Sequence, residues 1–267
     1  MAIITISRGS YTKGKEIAEE VAHRLGYQCL SRDILLEASE HFDIPEIHLV
    51  RALHDAPSVL ERFNHGRERF VAFIENAFLE HVLDDNVVYH GLAGHFFLKG
   101  VDHGLKIRII ADLQERVQLE MERTGVDEAR ARQILKKDDY ERRRWALALY
   151  GIDTRDPILY DLVLNVGGMA VECAVEIISR AAATPCYETT AESQAALRNL
   201  VLASRIKVAL VEGWPTVRVS VSGGVAYVDL EAPMADRNEV RRQVESMASR
   251  VDGIRTAEVN VRPPTVG

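Results

Sequence analysis

The chain has little cysteine, no run long enough to span a membrane, and no excess of positive charge. Only Cys29, Cys173 and Cys186 occur in 267 residues, and no two of them form a CxxC pair. An odd count without that pairing predicts free thiols in a reducing compartment rather than a disulfide framework. No apolar run approaches the roughly 18 residues that cross a bilayer, so an integral membrane protein is not expected. The N-terminus Met1-Ala2-Ile3 enters an apolar run with no basic n-region or cleavage site, and the expected location is the cytoplasm. A formal charge of −7 argues against a binder of nucleic-acid backbone. Histidine is absent beyond His103, all nine residues falling between His23 and His103. His90 and His95 invite a metal reading, but no Cys or acidic ligand stands beside them at helical spacing, so surface and boundary histidines are the expectation.

What is present is concentrated at the start. The apolar run Ala2-Ile3-Ile4-Thr5-Ile6-Ser7 meets Gly9-Ser10-Tyr11-Thr12-Lys13-Gly14-Lys15 and then an amphipathic segment from Glu16 to Leu25. A buried strand that breaks at GxxxxGK and continues as a helix is the strand, phosphate loop and helix unit of nucleotide-binding P-loop proteins. Its glycines let successive N–H groups converge on a phosphate, the helix presents its positive end to the same anion, and Lys15 adds a full charge. The motif expects a hydroxyl after the lysine to hold Mg²⁺, and Glu16 stands there instead. Glu16 either ligates Mg²⁺, pairs with Lys15 or faces away. A bare GxxxxGK is also what a chance turn looks like; the strand before it and the helix after it favour the phosphate loop.

At 267 residues two domains are the first expectation, 1–187 and 188–267. From Glu188 onward there are ten acidic and ten basic residues, so the net charge belongs to the first part. After a short extended piece at Tyr27 to Leu30, helical periodicity runs from Ile34 to Leu83, broken at Pro45 and Pro57. Phe70, Phe73, Ile74, Ala77 and Phe78 make one apolar face, the mark of a packed helix. Asn86 to His90, Leu105 to Ala111 and Tyr160 to Val166 are further strand candidates. Five strands with helical crossovers predict a parallel α/β sheet covered on both faces. Ligands of such sheets sit at the strands' carboxyl ends, where Gly9, Asp33 and Gly91 all fall. The charged stretch Lys136-Lys137-Asp138-Asp139-Tyr140-Glu141-Arg142-Arg143-Arg144-Trp145 reads as a solvated helix face or, beside a phosphate loop, as a helical lid that brings cations over a moving phosphoryl group.

Ala181-Ala182-Ala183-Thr184-Pro185 ends the last helix of this layer, and the segment from there to Ala191 reads as a linker. Beyond it come a helix from Ser193 to Val211, alternating strands at Thr216 to Val221 and Val225 to Leu230 around Gly223-Gly224, a helix near Asn238 to Val251, and a strand from Thr256 to Val261. This is a small α+β module of order αββαβ, with a hairpin at the glycine pair.

Two resemblances follow from particular residues. Residues 1 to 183 resemble the cytidylate kinase-like family through Ile4-Thr5-Ile6-Ser7-Arg8, Gly14-Lys15-Glu16-Ile17-Ala18, Ser31-Arg32-Asp33, Lys136 to Arg142, and Gly151 through Asp161-Leu162-Val163-Leu164-Asn165. The resemblance implies that Glu16 is ordinary in this branch and that Lys15 stands where relatives have Arg. Two departures are visible: Tyr11, Thr12 and Lys13 fill places that are richer in glycine in the family, and Gly91-Leu92 stands where it reads Gly-Arg. Residues 191 to 263 are similar to a BON domain through Trp214-Pro215-Thr216-Val217, Gly223-Gly224-Val225 and Val251-Asp252-Gly253-Ile254. That likeness implies a lipid-, ligand- or partner-binding module without a catalytic set, and a regulatory or oligomerisation role suits it best.

Together these imply transfer of the ATP γ-phosphoryl group to a nucleoside monophosphate, CMP first, with Mg²⁺. Gly9, Ser10, Thr12, Lys13, Gly14, Lys15 and Glu16 are expected to hold the donor, with Glu16 the metal candidate. Asp33, Arg51, Gly91 and Asp139 are expected toward the acceptor, and Arg142 with Lys136 to close over the transferring group. The competing expectation is a nucleotide sensor with little or no transfer, whose C-terminal module binds a ligand, a partner or, peripherally, a membrane surface. Oligomeric state is left open.

Overall fold

A computed structural model describes residues 2–9, 13–31, 66–91 and 94–264; helices are numbered below among these. Strand β1, Ile3–Arg8, is the centre of the first sheet, whose order is β2-β3-β1-β4-β5, with β2 at Gln28–Leu30, β3 at Val87–His90, β4 at Gly104–Ile110 and β5 at Leu162–Asn165. Every pairing is parallel. Being covered on both faces explains why β1 is apolar at successive positions. Ile3 enters one core, while Ile4 and Ile6 enter another on the opposite face.

The Ile4 and Ile6 face is covered by α1, Gly14–Leu25, and α6, Val171–Ala182. Ile17, Ala18 and Val21 of α1 meet Ala174, Val175 and Ile178 of α6 there. Arg24 of α1 pairs with Glu172 and Glu176 of α6 at the rim. The Ile3 face takes α2, Gly66–Val82, and α3, Gly94–Phe97. Phe70, Ile74, Phe78 and Phe97 pack there with Trp145 and Leu149. The helical run expected over 34–83 is therefore seen as α2, and its part before residue 66 lies outside the described residues.

Two helices form an arm: α4, Leu113–Thr124, and α5, Glu128–Tyr150. Asp112 and Asp127 cap them, each carboxylate accepting a backbone N–H of its own first turn, and Gly125 and Gly151 end them in the left-handed conformation. Val117 packs on Ala131 and Leu135 between the two helices. Among the described residues the last turns of α5, with Trp145, Ala146 and Leu149, reach the main core, while the outer part of this helix of about 35 Å packs on α4.

The remaining chain builds α7, Ala191–Leu210, strands β6 (Arg218–Ser222) and β7 (Val225–Glu231), α8 (Arg237–Ala248) and β8 (Thr256–Arg262). This is the expected αββαβ order. β6 and β7 form the hairpin around Gly223 and Gly224, both at positive φ, and β8 returns parallel to β7 through α8. The expected linker is ordered, with a 3₁₀ turn at Pro185–Tyr187 and a capping box between Thr190 and Ser193 opening α7.

α7 belongs to both bodies. Leu197 and Val201 enter the first core, while Ala203, Ile206 and Leu210 enter the second. Its side runs along α2, where the Asn76 amide donates to Ser204 Oγ at 3.0 Å, Arg205 grips Glu80 and Lys207 meets Glu75 at 2.7 Å. The expectation of surface histidines is corrected here: His90, His95 and His103 are buried, because the end of β3, α3 and the turn into β4 all lie inside the layers. Among the described residues no group of His, Cys, Asp and Glu is arranged to hold a metal, and no helix is long and apolar enough to cross a membrane.

Since one helix supplies both cores, the two bodies should unfold together. Trp145 lies in the first core and Trp214 against the second, so single-tryptophan variants Trp214→Phe and Trp145→Phe report each body. Leu197→Ala should lower stability by about 2–5 kcal/mol, shifting the urea midpoint equally in both backgrounds. A shift confined to the Trp145 signal would show that the bodies unfold separately.

Candidate functional site

A parallel sheet delivers all its carboxyl ends to one edge, and the candidate residues are found there. β1 ends at Arg8 and Gly9, β3 at His90 and Gly91, β4 at Ile110 and Asp112, and β5 at Asn165. Ser7 lies beside Arg108, and Ile6 beside His90, so Gly91 stands level with Ser7. A side chain at Gly91 would run into the Tyr89 ring, its Cβ 2.6 Å from Cζ. At the end of β5, a Cβ on Gly167 would come within 2.9 Å of Glu115 Oε2, so that turn closes directly against α4.

The turn into α1 ends at Lys13, which caps the helix with its backbone and gives it no side-chain cap. The first-turn amides of α1 thus keep their capacity for an anion. Lys13 Nζ stands 3.8 Å from Glu115 Oε1, tying the turn to the helical arm. Arg8, half-buried at the end of β1, is held below the ordinary arginine range, first by burial and then by the like charge of Arg142 reaching over from α5. Arg8 and Lys13 therefore stand at the two ends of the segment that joins β1 to α1, Arg142 acts on Arg8 from the arm, and Gly91 lies at the same sheet edge.

Other expected residues lie elsewhere. Lys15 is 64% exposed and its Nζ is 3.5 Å from Glu19 one turn along α1, whereas Lys13 meets Glu115 of the arm. Glu16 is exposed on the first turn of α1, and Lys136 is exposed on the outer part of the arm. Asp139 is bound bidentately by Arg116 at 2.9 and 2.8 Å, which joins α4 to α5. Ser10, Thr12, Asp33 and Arg51 lie outside the described residues. Arg143 and Arg155 both hold Asp153, whose carboxyl sits far below the usual range because of Arg155 first and Arg143 second.

These groups suit a nucleotide's phosphates better than they suit a bare metal. Mg²⁺ in phosphate sites takes most of its ligands from phosphate and water and one or two from carboxylates. Glu115, half-buried against Lys13, is a carboxylate at this edge, beside Asp112, which caps α4, whereas Glu16 is exposed. Sequence reasoning gave no role to Arg8, Glu115, Arg108 or Tyr160. The signal for Arg108 was legible: in β4, Lys106 and Arg108 alternate with Leu105, Ile107 and Ile109, an oddity in a strand buried in a parallel sheet.

Residues 3–167 match the model of the cytidylate kinase-like family. Ninety-nine residues are 35% identical to the cytidylate kinase of Archaeoglobus fulgidus, covering 37% of this chain and 53% of that protein. A stretch of 96 residues is 35% identical to a uronate isomerase of Corynebacterium glutamicum, covering 36% of this chain and 18% of that protein. The chain thus spans about half the length of the first of these relatives and under a fifth of the second. Among solved structures, an uncharacterised protein from Eubacterium ventriosum superposes with a TM-score of 0.54 at 20% identity, covering 68% of this chain and 97% of that one. That likeness concerns the fold.

Beneath the edge lies a titratable group with a measurable consequence. His95 is 7% exposed, and burial first, then Arg108 and Lys106, push its pKa down to about 3. The unfolded chain takes up a proton near pH 6.5 that the folded chain refuses, so stability should fall as pH drops from 6.5 toward 3. One such proton contributes a slope of about 1.4 kcal/mol per pH unit. His103, also lowered by burial, adds to it in the same direction. Between pH 6 and 4.5, His95→Phe should flatten the urea stability profile by one proton's slope; an unchanged profile would show that His95 titrates normally.

Proposed function

The chain belongs to the cytidylate kinase-like family, and from that premise we propose that it is a phosphotransferase that moves the γ-phosphoryl group of ATP to a nucleoside monophosphate, CMP first. The observation that carries the reading is the approach of Arg142, from the helical arm, to Arg8 at the end of β1, beside the turn that Lys13 closes. A half-buried guanidinium at the carboxyl edge of the sheet, with a second cation acting on it from the arm, suits a polyanionic ligand.

In this reading the amides around Gly9 and Gly14 with Arg8 and Lys13 hold the donor phosphates. Lys15 joins them by leaving Glu19, an exposed pair of this spacing being worth only about 0.3–0.5 kcal/mol. Glu115 is the carboxylate that would help hold Mg²⁺, and the metal would supply charge neutralisation of the donor phosphates. Arg142 neutralises charge on the transferring group, and the arm excludes water. No covalent intermediate is needed, because positioning and charge neutralisation supply most of such catalysis. Asp33 and Arg51 are kept as acceptor-side candidates.

We take residues 1–187 as the phosphotransfer unit and 188–267 as a BON-like module that binds a ligand, a partner or a membrane surface. Three free cysteines support a cytoplasmic setting. A nucleotide sensor with little turnover is the second reading, and the outward placement of Lys15 favours it.

The test is ADP formation from ATP and Mg²⁺ across the four ribonucleoside monophosphates. CMP is expected to give the highest kcat/KM, and Arg142→Ala is expected to lower kcat about 10²–10³-fold while circular dichroism is unchanged. Tight ATP binding with no ADP from any acceptor would favour the sensor, and an Arg142→Ala enzyme of full activity would remove the arm from the chemistry.

A further inference from the structure

On the Ile3 face of the first sheet, away from α1, one cation makes its contacts among the described residues with neutral groups. Arg108 stands in β4 directly beside Ser7 of β1, two residues before β4 ends. One of its guanidinium nitrogens donates to the Tyr160 hydroxyl at 3.3 Å, and its Cζ lies 5.5 Å from the centre of that ring. The Tyr160 hydroxyl donates to Thr154 O at 2.9 Å and lies 3.3 Å from Ser7 Oγ. The His95 ring is 4.9 Å from the Tyr160 ring and stays neutral, because burial first and Arg108 next oppose its protonation. Among the described residues Arg108 makes no ion pair.

The contrast with its neighbours is chemical. Arg116 has Asp139, and Arg143 has Asp153. A half-buried guanidinium held among hydroxyls and rings lacks that compensation, and its retention asks for an anion that arrives from outside. The cluster lies near the edge where the strands end, with Arg108 beside Ser7 and Gly91 at the same level. It lies on the face opposite α1, whereas the donor turn runs into α1. Two further polar atoms on this side, Thr5 Oγ1 and His95 Nε2, are more than nine-tenths buried and have no hydrogen-bond partner among the described residues. Such atoms are the mark of a surface built to meet a polar ligand or water.

We infer that Arg108 binds the anionic group of the second substrate, a phosphate monoester, and that Tyr160 is a positioning residue that fixes the guanidinium between Ser7 and the chain at Thr154. Naming the ligand as the phosphoryl acceptor rests on the phosphotransfer reading; the anion site itself does not. Tyr160 holds a cation through a neutral hydroxyl and a ring face, which fixes its direction without cancelling its charge.

Calorimetric titration of the full chain with CMP, cytidine and ATP tests this, using Arg108→Met, Arg108→Lys and Tyr160→Phe. Arg108→Met should weaken CMP about 10- to 100-fold and erase the preference for CMP over cytidine, with ATP affinity unchanged. Arg108→Lys should recover part of the loss, and Tyr160→Phe should lower CMP affinity less than Arg108→Met does. The inference is overturned if wild-type protein binds CMP no better than cytidine, if Arg108→Met binds CMP normally, or if it loses ATP equally. Loss of CMP binding in Arg108→Met without any ADP formation by the wild type would remove phosphotransfer and leave the anion site standing. ADP formation with an unaltered CMP KM in Arg108→Met would do the reverse.

Discussion

Arg8 sits half-buried where β1 leaves the sheet, and Arg142 reaches from α5 close enough to oppose it. Like charges share a partly desolvated place only when the surrounding structure, or a partner of either group, offsets their repulsion. Here the structural elements are a parallel sheet, which fixes the end of β1, and the packed end of α5, which Trp145 and Leu149 anchor in the core. The rest of the edge follows from that constraint. Lys13 closes the turn, Glu115 answers it from α4, and Gly167 lets the chain after β5 pass close to Glu115.

The arm and the C-terminal body are attached to this edge in different ways. The arm is anchored at one end, so its outer turns, with Lys136, are free of the core. The C-terminal body is bound along a whole helix. Asn76, Glu75 and Glu80 of α2 each have a partner on α7, and Leu197 and Val201 of α7 complete the core under α2. Whatever the second sheet meets is therefore connected by rigid packing to the helix that precedes β3 and Gly91.

Much of this was legible in the residues. The five parallel strands followed from buried apolar runs separated by helical periods, and the glycine pair at 223–224 gave the hairpin. The ends moved by a residue or two, and most at β5, where Pro157 starts a 3₁₀ turn and Tyr160 turns its hydroxyl inward, so pairing begins at Leu162. The double role of α7 was not legible, because its periodicity is that of any buried helix and says nothing of which core each turn enters. The choice of Lys13 over Lys15 was hidden as well. The GxxxxGK spacing names Lys15, but the direction of a lysine at a helix start depends on its neighbours, and Glu19 lies four residues on. Burial of His95 depended on the ring of Tyr160, which meets it only in the fold.

The most direct measurement of the central claim is the ATP dissociation constant as a function of NaCl concentration, in the native chain and in Arg8→Met. Saturable binding with one ATP per chain, weakening steadily as salt rises and lost or reduced more than tenfold in Arg8→Met, is the predicted result. ATP affinity that ignores both salt and Arg8, or no binding at millimolar ATP, would contradict it.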